Sequence, residues 1–145
     1  MFKSIYLSYL PVVIASIVLC GCRQEKQEIV AIRRVIQAYN KGGDTQNIKL
    51  AKRSLYPDSQ HYYVDDRTGK LIVLSTRKYW QWLERKEIGG LARKLVIHTI
   101  DVMDNLALAR VTMENQQKRG DNYLALMKIN SQWKIMNNIL EVKLK

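Results

Sequence analysis

The C-terminal half of this chain reads as four strands joined by three short gaps, and that pattern limits the fold more than any other feature. Lys94 to Val102, Leu106 to Gln116, Asn122 to Ile129 and Gln132 to Leu144 are strand-like. The gaps between them, Met103-Asp104-Asn105, Gln117 to Asp121 and Asn130-Ser131, are polar and carry Asn, Asp or Gly, the residues that accept tight reversals. Strands joined so closely pair antiparallel.

Upstream the period is different. Ile29, Ile32, Ile36 and Tyr39 recur at helical spacing from Glu28, with Arg33, Arg34, Gln37 and Lys41 off that face. Gly42-Gly43 is the expected stop. Asp44 is a candidate N-cap for a second helix that aligns Ile48, Ala51 and Leu55, and Tyr56-Pro57-Asp58 should end it. His61 to Val64 and Lys70 to Leu74 read as a strand pair around the turn Asp65 to Gly69. Ser75 can cap a third helix holding Tyr79, Trp80, Trp82 and Leu83, closed by Gly89-Gly90.

Helices set apart from an antiparallel sheet define an α+β domain. In the last two strands both parities are apolar, with Tyr123, Ala125, Met127 and Ile129 on one side and Leu124 and Leu126 on the other. A sheet with one wet face alternates more cleanly, so the second face is expected to be covered by a partner subunit in a homodimer.

The N-terminus is a separate unit. Lys3 precedes a run from Ile5 to Leu19 that carries no charge, the layout of a secretory signal. A spanning helix needs about 20 apolar residues, and this run stops at Gly21. Its end, Leu19-Cys20-Gly21-Cys22, resembles the bacterial lipobox. That resemblance implies cleavage before Cys22 and lipid on its sulfur and new amino group. The expected organisation is a lipoprotein signal peptide over residues 1–21, a lipidated polar tether over 22–27 and one domain over 28–145. Several acyl chains give firm anchoring where one gives little. The expected location is the bacterial cell envelope, on the outer membrane facing the periplasm where there are two membranes. Both cysteines are then used in processing, which excludes cysteine catalysis and cysteine metal ligation in the mature protein.

The order of elements, the helix ending Ala38-Tyr39-Asn40-Lys41-Gly42-Gly43-Asp44 and the hairpin string Tyr123-Leu124-Ala125-Leu126-Met127-Lys128-Ile129 through Trp133-Lys134-Ile135 resemble the NTF2-like superfamily. Within it they are most similar to the group named putative lumazine-binding, or SnoaL-like. The resemblance covers roughly Gln27 to Lys143. It implies a cone, a strongly curved antiparallel sheet wrapped around the N-terminal helices with a pocket at the open end, and homodimers through the sheet. The family label does not itself assign a lumazine ligand.

Chemistry is sparse in this pattern. Ketosteroid isomerase, a member of the superfamily, uses an Asp base with Tyr and protonated Asp donors. The position matching its donor tyrosine is Val35, which cannot donate. Asp65 and Asp66 stand where a base would, although they read better as a solvated turn before Gly69. A dehydratase-like His–Asp pair would have to be His98 and Asp101, which on a regular strand point to opposite faces. His61 and His98 are too far apart in sequence, with no acidic residues spaced around them, to suggest a metal set. Asp65, Asp66 and His98 are therefore weak catalytic candidates, and Tyr39, Trp80, His98 and Tyr123 are pocket candidates. No phosphate loop, nucleophile elbow or dinucleotide fingerprint is present.

The net charge is +11, and removing Lys3 with the leader lowers it by one. Its basic pairs, from Arg33-Arg34 to Lys118-Arg119, are spread along the chain. In an exported protein the available counter-surface is anionic lipid rather than nucleic acid. The reading is thus an envelope lipoprotein that binds a small apolar molecule or a protein partner without a cofactor. The alternatives are an isomerase or dehydratase-type enzyme and a purely structural dimer.

Overall fold

The computed structural model describes residues 10–65 and 67–145, with side chains from Arg23 onward. Asp66 and residues 1–9 of the expected signal lie outside the described residues.

Helix α1, Leu10–Asp44, runs through the expected cleavage junction and tether without a break. Arg, Gln, Glu and Lys of residues 23–27 are good helix formers and nothing there interrupts them. Among the described residues no helix is long and apolar enough to cross a membrane. Ile32, Ile36 and Tyr39 are buried, as their spacing requires.

The Gly42-Gly43 pair does not stop α1. The helix continues to Asp44 and ends at left-handed Gln46 (φ 51°), after which Asn47 N donates back to Gly42 O at 2.8 Å. Asp44 is therefore inside α1, and the N-cap of α2 (Ile48–Ser54) is Asn47, whose side chain accepts from Leu50 N. Helix α2 is a residue shorter than its apolar spacing suggests, because Leu55 opens strand β1.

Strand β1 (Leu55–Asp65) starts earlier than expected, and β2 (Lys70–Ser75) pairs antiparallel with it. Helix α3 (Thr76–Glu84) is capped by the Ser75 side chain, which accepts from Lys78 N. It closes at Arg85 and left-handed Lys86, not at Gly89-Gly90. Those glycines serve the packing instead: Gly90 N donates to Gly43 O at 3.1 Å, holding the loop onto the end of α1.

Strands β3 (Lys94–Met103), β4 (Leu106–Glu114), β5 (Lys118–Ile129) and β6 (Gln132–Leu144) form the expected antiparallel meander. Asn130 and Ser131 both have positive φ, which suits the two-residue reversal between β5 and β6. One pairing is not local: β1 lies parallel to β6, giving the order β2-β1-β6-β5-β4-β3. The curved sheet is unclosed, with β2 and β3 at its edges.

The concave face meets α1. Ala107, Ala109, Val111 and Met113 of β4, Leu124 and Leu126 of β5 and Trp133 and Ile135 of β6 are buried there with Ile32, Ile36 and Tyr39. On the other face Leu106, Leu108, Tyr123, Met127 and Ile139 are exposed. The register sets Tyr123 between Arg110 and Ile139, and Ile139 beside Tyr62, so the apolar strip crosses several strands. This is the two-faced apolar pattern read from the sequence.

Candidate functional site

A cavity of about 640 Å³ opens where α1 ends inside the sheet. Its inner end is made by Tyr39 from α1, His61 from β1, Tyr79 from α3 and Asn138 from β6. Leu74, Leu140, Val142, Trp82 and Ile88 add apolar wall, and Asp65, Arg67, Gln117 and Lys118 stand at the rim.

Each inner residue arrives by simple geometry. Tyr39 continues the buried stripe of α1 one turn beyond Ile36. His61 shares the inward parity of Ser59 on β1, and both are buried. The β1–β6 register places His61 directly beside Asn138. Tyr79 and Trp82 are three apart on α3 and share a face.

The three rings form a cluster. Tyr39 and His61 stack at 6.1 Å between centroids, and Tyr79 lies 5.1 Å from His61 and 6.3 Å from Tyr39. Burial pushes the His61 imidazole down to about 4, so it is neutral at ordinary pH. Burial also pushes both phenols up, Tyr79 strongly. One ring nitrogen of His61 lies 3.4 Å from Thr76 Oγ1, which is 2.5 Å from Ser59 Oγ.

Behind the rings, Arg93 closes the C-terminal end of α1. Its Nε donates to Asp44 Oδ1 at 2.5 Å, its backbone N to Asp44 Oδ2 at 3.0 Å and its Nη2 to Asn40 O at 3.1 Å. A cation at a helix C-terminus also answers the partial negative charge there. Gly43 makes this approach possible, since a Cβ would stand 2.8 Å from Arg93 Nη2 and 3.0 Å from the Tyr79 hydroxyl. Asp44, the residue expected to cap a helix, is thus the partner that occupies Arg93.

The inner end therefore presents aromatic faces and neutral hydrogen-bonding groups, and charged side chains stand farther out along the wall and rim. Among the described residues no group of three His, Cys, Asp or Glu is placed to hold a metal ion.

Of the residues singled out from the sequence, Tyr39 lines the cavity and Asp65 reaches its rim. Asp65 holds the turn, as read: its Oδ1 accepts from Arg67 N at 2.9 Å and its carbonyl from Gly69 N at 2.7 Å. Trp80 lies elsewhere, because one step along α3 from Tyr79 rotates it off the pocket face. It packs on the core, with Lys52 Nζ 5.7 Å from its ring centroid. Tyr123 has the outward parity of β5 and is 59% exposed.

His98 is also outside the cavity. It sits at a bulge between Ile97 and Thr99 that breaks the alternation used to separate it from Asp101. Its Nε2 instead meets Thr112 Oγ1 at 2.8 Å, and that hydroxyl donates to Asp121 Oδ1 at 2.6 Å. The His98–Asp101 pair is not formed.

His61, Tyr79, Asn138 and Arg93 are not among the residues that the sequence singles out as a site. For His61 a signal existed: a strand begun at Leu55 gives it the parity of buried Ser59. Asn138 and Arg93 had none, since their place depends on the parallel β1–β6 pairing and on where α1 ends.

Residues 27–140 match the family described as "Putative lumazine-binding". Comparison with curated proteins finds no match. Among solved structures, an NTF2-like protein of unknown function from Shewanella baltica OS155 is 21% identical, with a TM-score of 0.71 over 81% of this chain and 94% of that one. A second, from Silicibacter pomeroyi DSS-3, is 14% identical, with a TM-score of 0.73 over 82% and 98%. A third, from Methylobacillus flagellatus KT, is 18% identical, with a TM-score of 0.70 over 81% and 93%. At these identities the likeness establishes a shared fold, the NTF2-like cone.

Proposed function

Because the chain belongs to the family described as "Putative lumazine-binding", with an NTF2-like fold, we propose that it is a binding protein of the bacterial envelope. It holds a small, flat, largely apolar molecule in its cone and is anchored by lipid on Cys22. The observation that carries this reading is the cavity of about 640 Å³ with the Tyr39–His61–Tyr79 cluster at its inner end. That volume falls within the range of small-molecule sites. Among the described residues no carboxylate free of a structural partner stands beside those rings, which favours binding over the isomerase or dehydratase alternative.

The anchor and the opening lie at opposite ends of α1. From Cys22 to Gly43 the helix rises about 1.5 Å per residue, so the two are separated by roughly 30 Å. The rim turn after Asp65 and the start of β5 at Lys118 stand at the opening, whereas the β5–β6 reversal is tied to the anchor end through Glu28. The pocket then faces the aqueous compartment, and its ligand arrives from there rather than from the bilayer. A second copy covering the exposed sheet face completes the proposed assembly.

Two measurements test this. Native mass spectrometry of protein released from membranes should show a retained small molecule, and an empty protein under all conditions overturns the binding reading. Changing Cys22 to Ser should move the protein out of the membrane fraction, and unchanged fractionation overturns the anchor.

A further inference from the structure

Two hydrogen-bond donors on the cavity wall have no acceptor. Arg93 uses Nε on Asp44 Oδ1 and one Nη2 hydrogen on Asn40 O. Both hydrogens of Nη1 and one of Nη2 then have no partner among the described residues. The Tyr79 hydroxyl makes no hydrogen bond there either. Neither group is sealed in the core, since the buried side-chain atoms without partners belong to Asn40, Trp80 and Asn138. The Arg93 side chain is 22% exposed, and Arg93 and Tyr79 line the cavity together with Gly43.

Gly43 leaves the space between these donors open. A Cβ on it would stand 2.8 Å from Arg93 Nη2 and 3.0 Å from the Tyr79 hydroxyl, and no side chain fills that place. The carboxylate nearest Arg93 is already used. Asp44 Oδ1 accepts from Arg93 Nε, and its Oδ2 accepts from Arg93 N and Asn40 Nδ2. Burial is the largest influence on the Tyr39 and Tyr79 phenols, and Arg93 opposes it at both. Asp44 acts on Tyr79, and less strongly than Arg93 does. A negative charge placed here therefore feels the guanidinium more than the carboxylate. Farther out the wall is apolar, through Leu74, Trp82, Leu140 and Val142 to exposed Leu144 at the mouth.

The geometry points to Arg93 and Tyr79 as an anchoring subsite for a ligand carboxylate. The cone then takes an amphipathic organic acid, with its charged head at Arg93 and its apolar body along the wall toward Leu144. A carboxylate leaving water for such a site needs charge-assisted hydrogen bonds, and these two residues supply them. The neutral amide of the same acid gains less from the same donors. This assignment rests on the binding reading above and adds the charge and the direction of the ligand.

Two probes of one shape test it on the full-length protein in nanodiscs of zwitterionic lipid, by calorimetric titration with empty nanodiscs as the reference. These are 2-naphthoate, charged at neutral pH, and 2-naphthamide, its neutral counterpart. 2-Naphthoate should bind about tenfold more tightly, the margin of charge-assisted over neutral hydrogen bonds. Tyr79→Phe deletes one donor and keeps the ring, and it should weaken 2-naphthoate binding about fivefold. Arg93→Gln should bring the two probes to near parity. Arg93 also holds the end of α1, so Tyr79→Phe carries the test where Arg93→Gln does not fold. Equal or weaker binding of 2-naphthoate in the unaltered protein overturns the subsite and leaves the cavity reading standing. Binding of 2-naphthoate unchanged by these substitutions moves its charge to Arg67 and Lys118 at the rim and also overturns the subsite. Failure of both probes to bind overturns the binding reading as well.

Discussion

Glu28 and Trp133, 105 positions apart, are joined by a 2.6 Å hydrogen bond from the indole Nε1 to Glu28 Oε2. The other carboxylate oxygen of Glu28 accepts from Lys128 Nζ at 2.6 Å. One side chain thus fastens α1 to both arms of the β5–β6 hairpin, at the end of the cone opposite the opening.

Replacing Glu28 with Ala should destabilise the domain by about 1–2 kcal/mol, since it strands the N–H of buried Trp133, while the ion pair with Lys128 is only partly shielded from water and adds little. The hydrogen bonds from Lys128 and then Trp133 lower the Glu28 pKa. Its contribution is therefore present above the ordinary Glu value of 4.5 and lost as pH falls through the depressed native value. Urea denaturation midpoints of the two proteins at neutral pH and below pH 4 measure this; the gap between them should narrow in acid.

His61 supplies a second acid sensitivity in a different window. Its imidazole titrates near 4 in the fold and near 6.5 when unfolded. The unfolded chain binds the extra proton first, so stability falls as pH drops from 6.5 toward 4, by up to about 3 kcal/mol. Changing His61 to Phe should flatten that part of the stability–pH curve. A curve unchanged by the substitution would show that His61 is not the group responsible.

The contact between the α3–β3 loop and α1 should be intolerant of side chains. Gly89 has φ 76°, and a Cβ there would collide with the Gly43 carbonyl oxygen. Gly69 also has positive φ (64°) but has open space around it. Gly69→Ala should cost about 1 kcal/mol, the strain of the left-handed backbone alone. Gly89→Ala should cost about 3 kcal/mol or more, because strain and collision add. Thermal melts of the pair report the difference.

The exposed strip on the outer sheet face gives the last prediction. If a second copy covers it, placing Lys at both Leu108 and Tyr123 should convert a dimer to a monomer while leaving the melting temperature of the isolated fold nearly unchanged. Sedimentation velocity distinguishes the two states. A monomer before the substitution would remove the dimer proposal.

Much of the cone is legible residue by residue. The spacing of Ile32, Ile36 and Tyr39 marks the face of α1, Ser75 marks the start of α3, and the Asn130-Ser131 reversal marks the last hairpin. These signals are local: a helical stripe, a cap and a turn each lie within a few residues. The glycine pairs mislead for a physical reason. Glycine suits a helix end and also suits close approach of two backbones, and the sequence does not distinguish them; here Gly43 and Gly89 serve the approach.

The candidate site was less readable because it is assembled from separate elements. Tyr39 could be found on the α1 stripe. His61 becomes a site residue only through the start of β1 at Leu55 and its place beside β6. Helix rotation turns Trp80 away from the cavity, and strand parity turns out Tyr123, which precedes core-facing Leu124, and His98, which follows core-facing Ile97.

By itself, then, the sequence determined the α+β class, the order of the elements, the buried face of the first helix and an apolar outer sheet face. Each of these depends on periodicity along the chain. Only the tertiary structure decided that His61 meets Asn138, that Arg93 engages Asp44 and that the cavity ends in three aromatic rings. Those contacts follow from the parallel β1–β6 pairing and the point where α1 stops, and neither is encoded by spacing between neighbours in sequence.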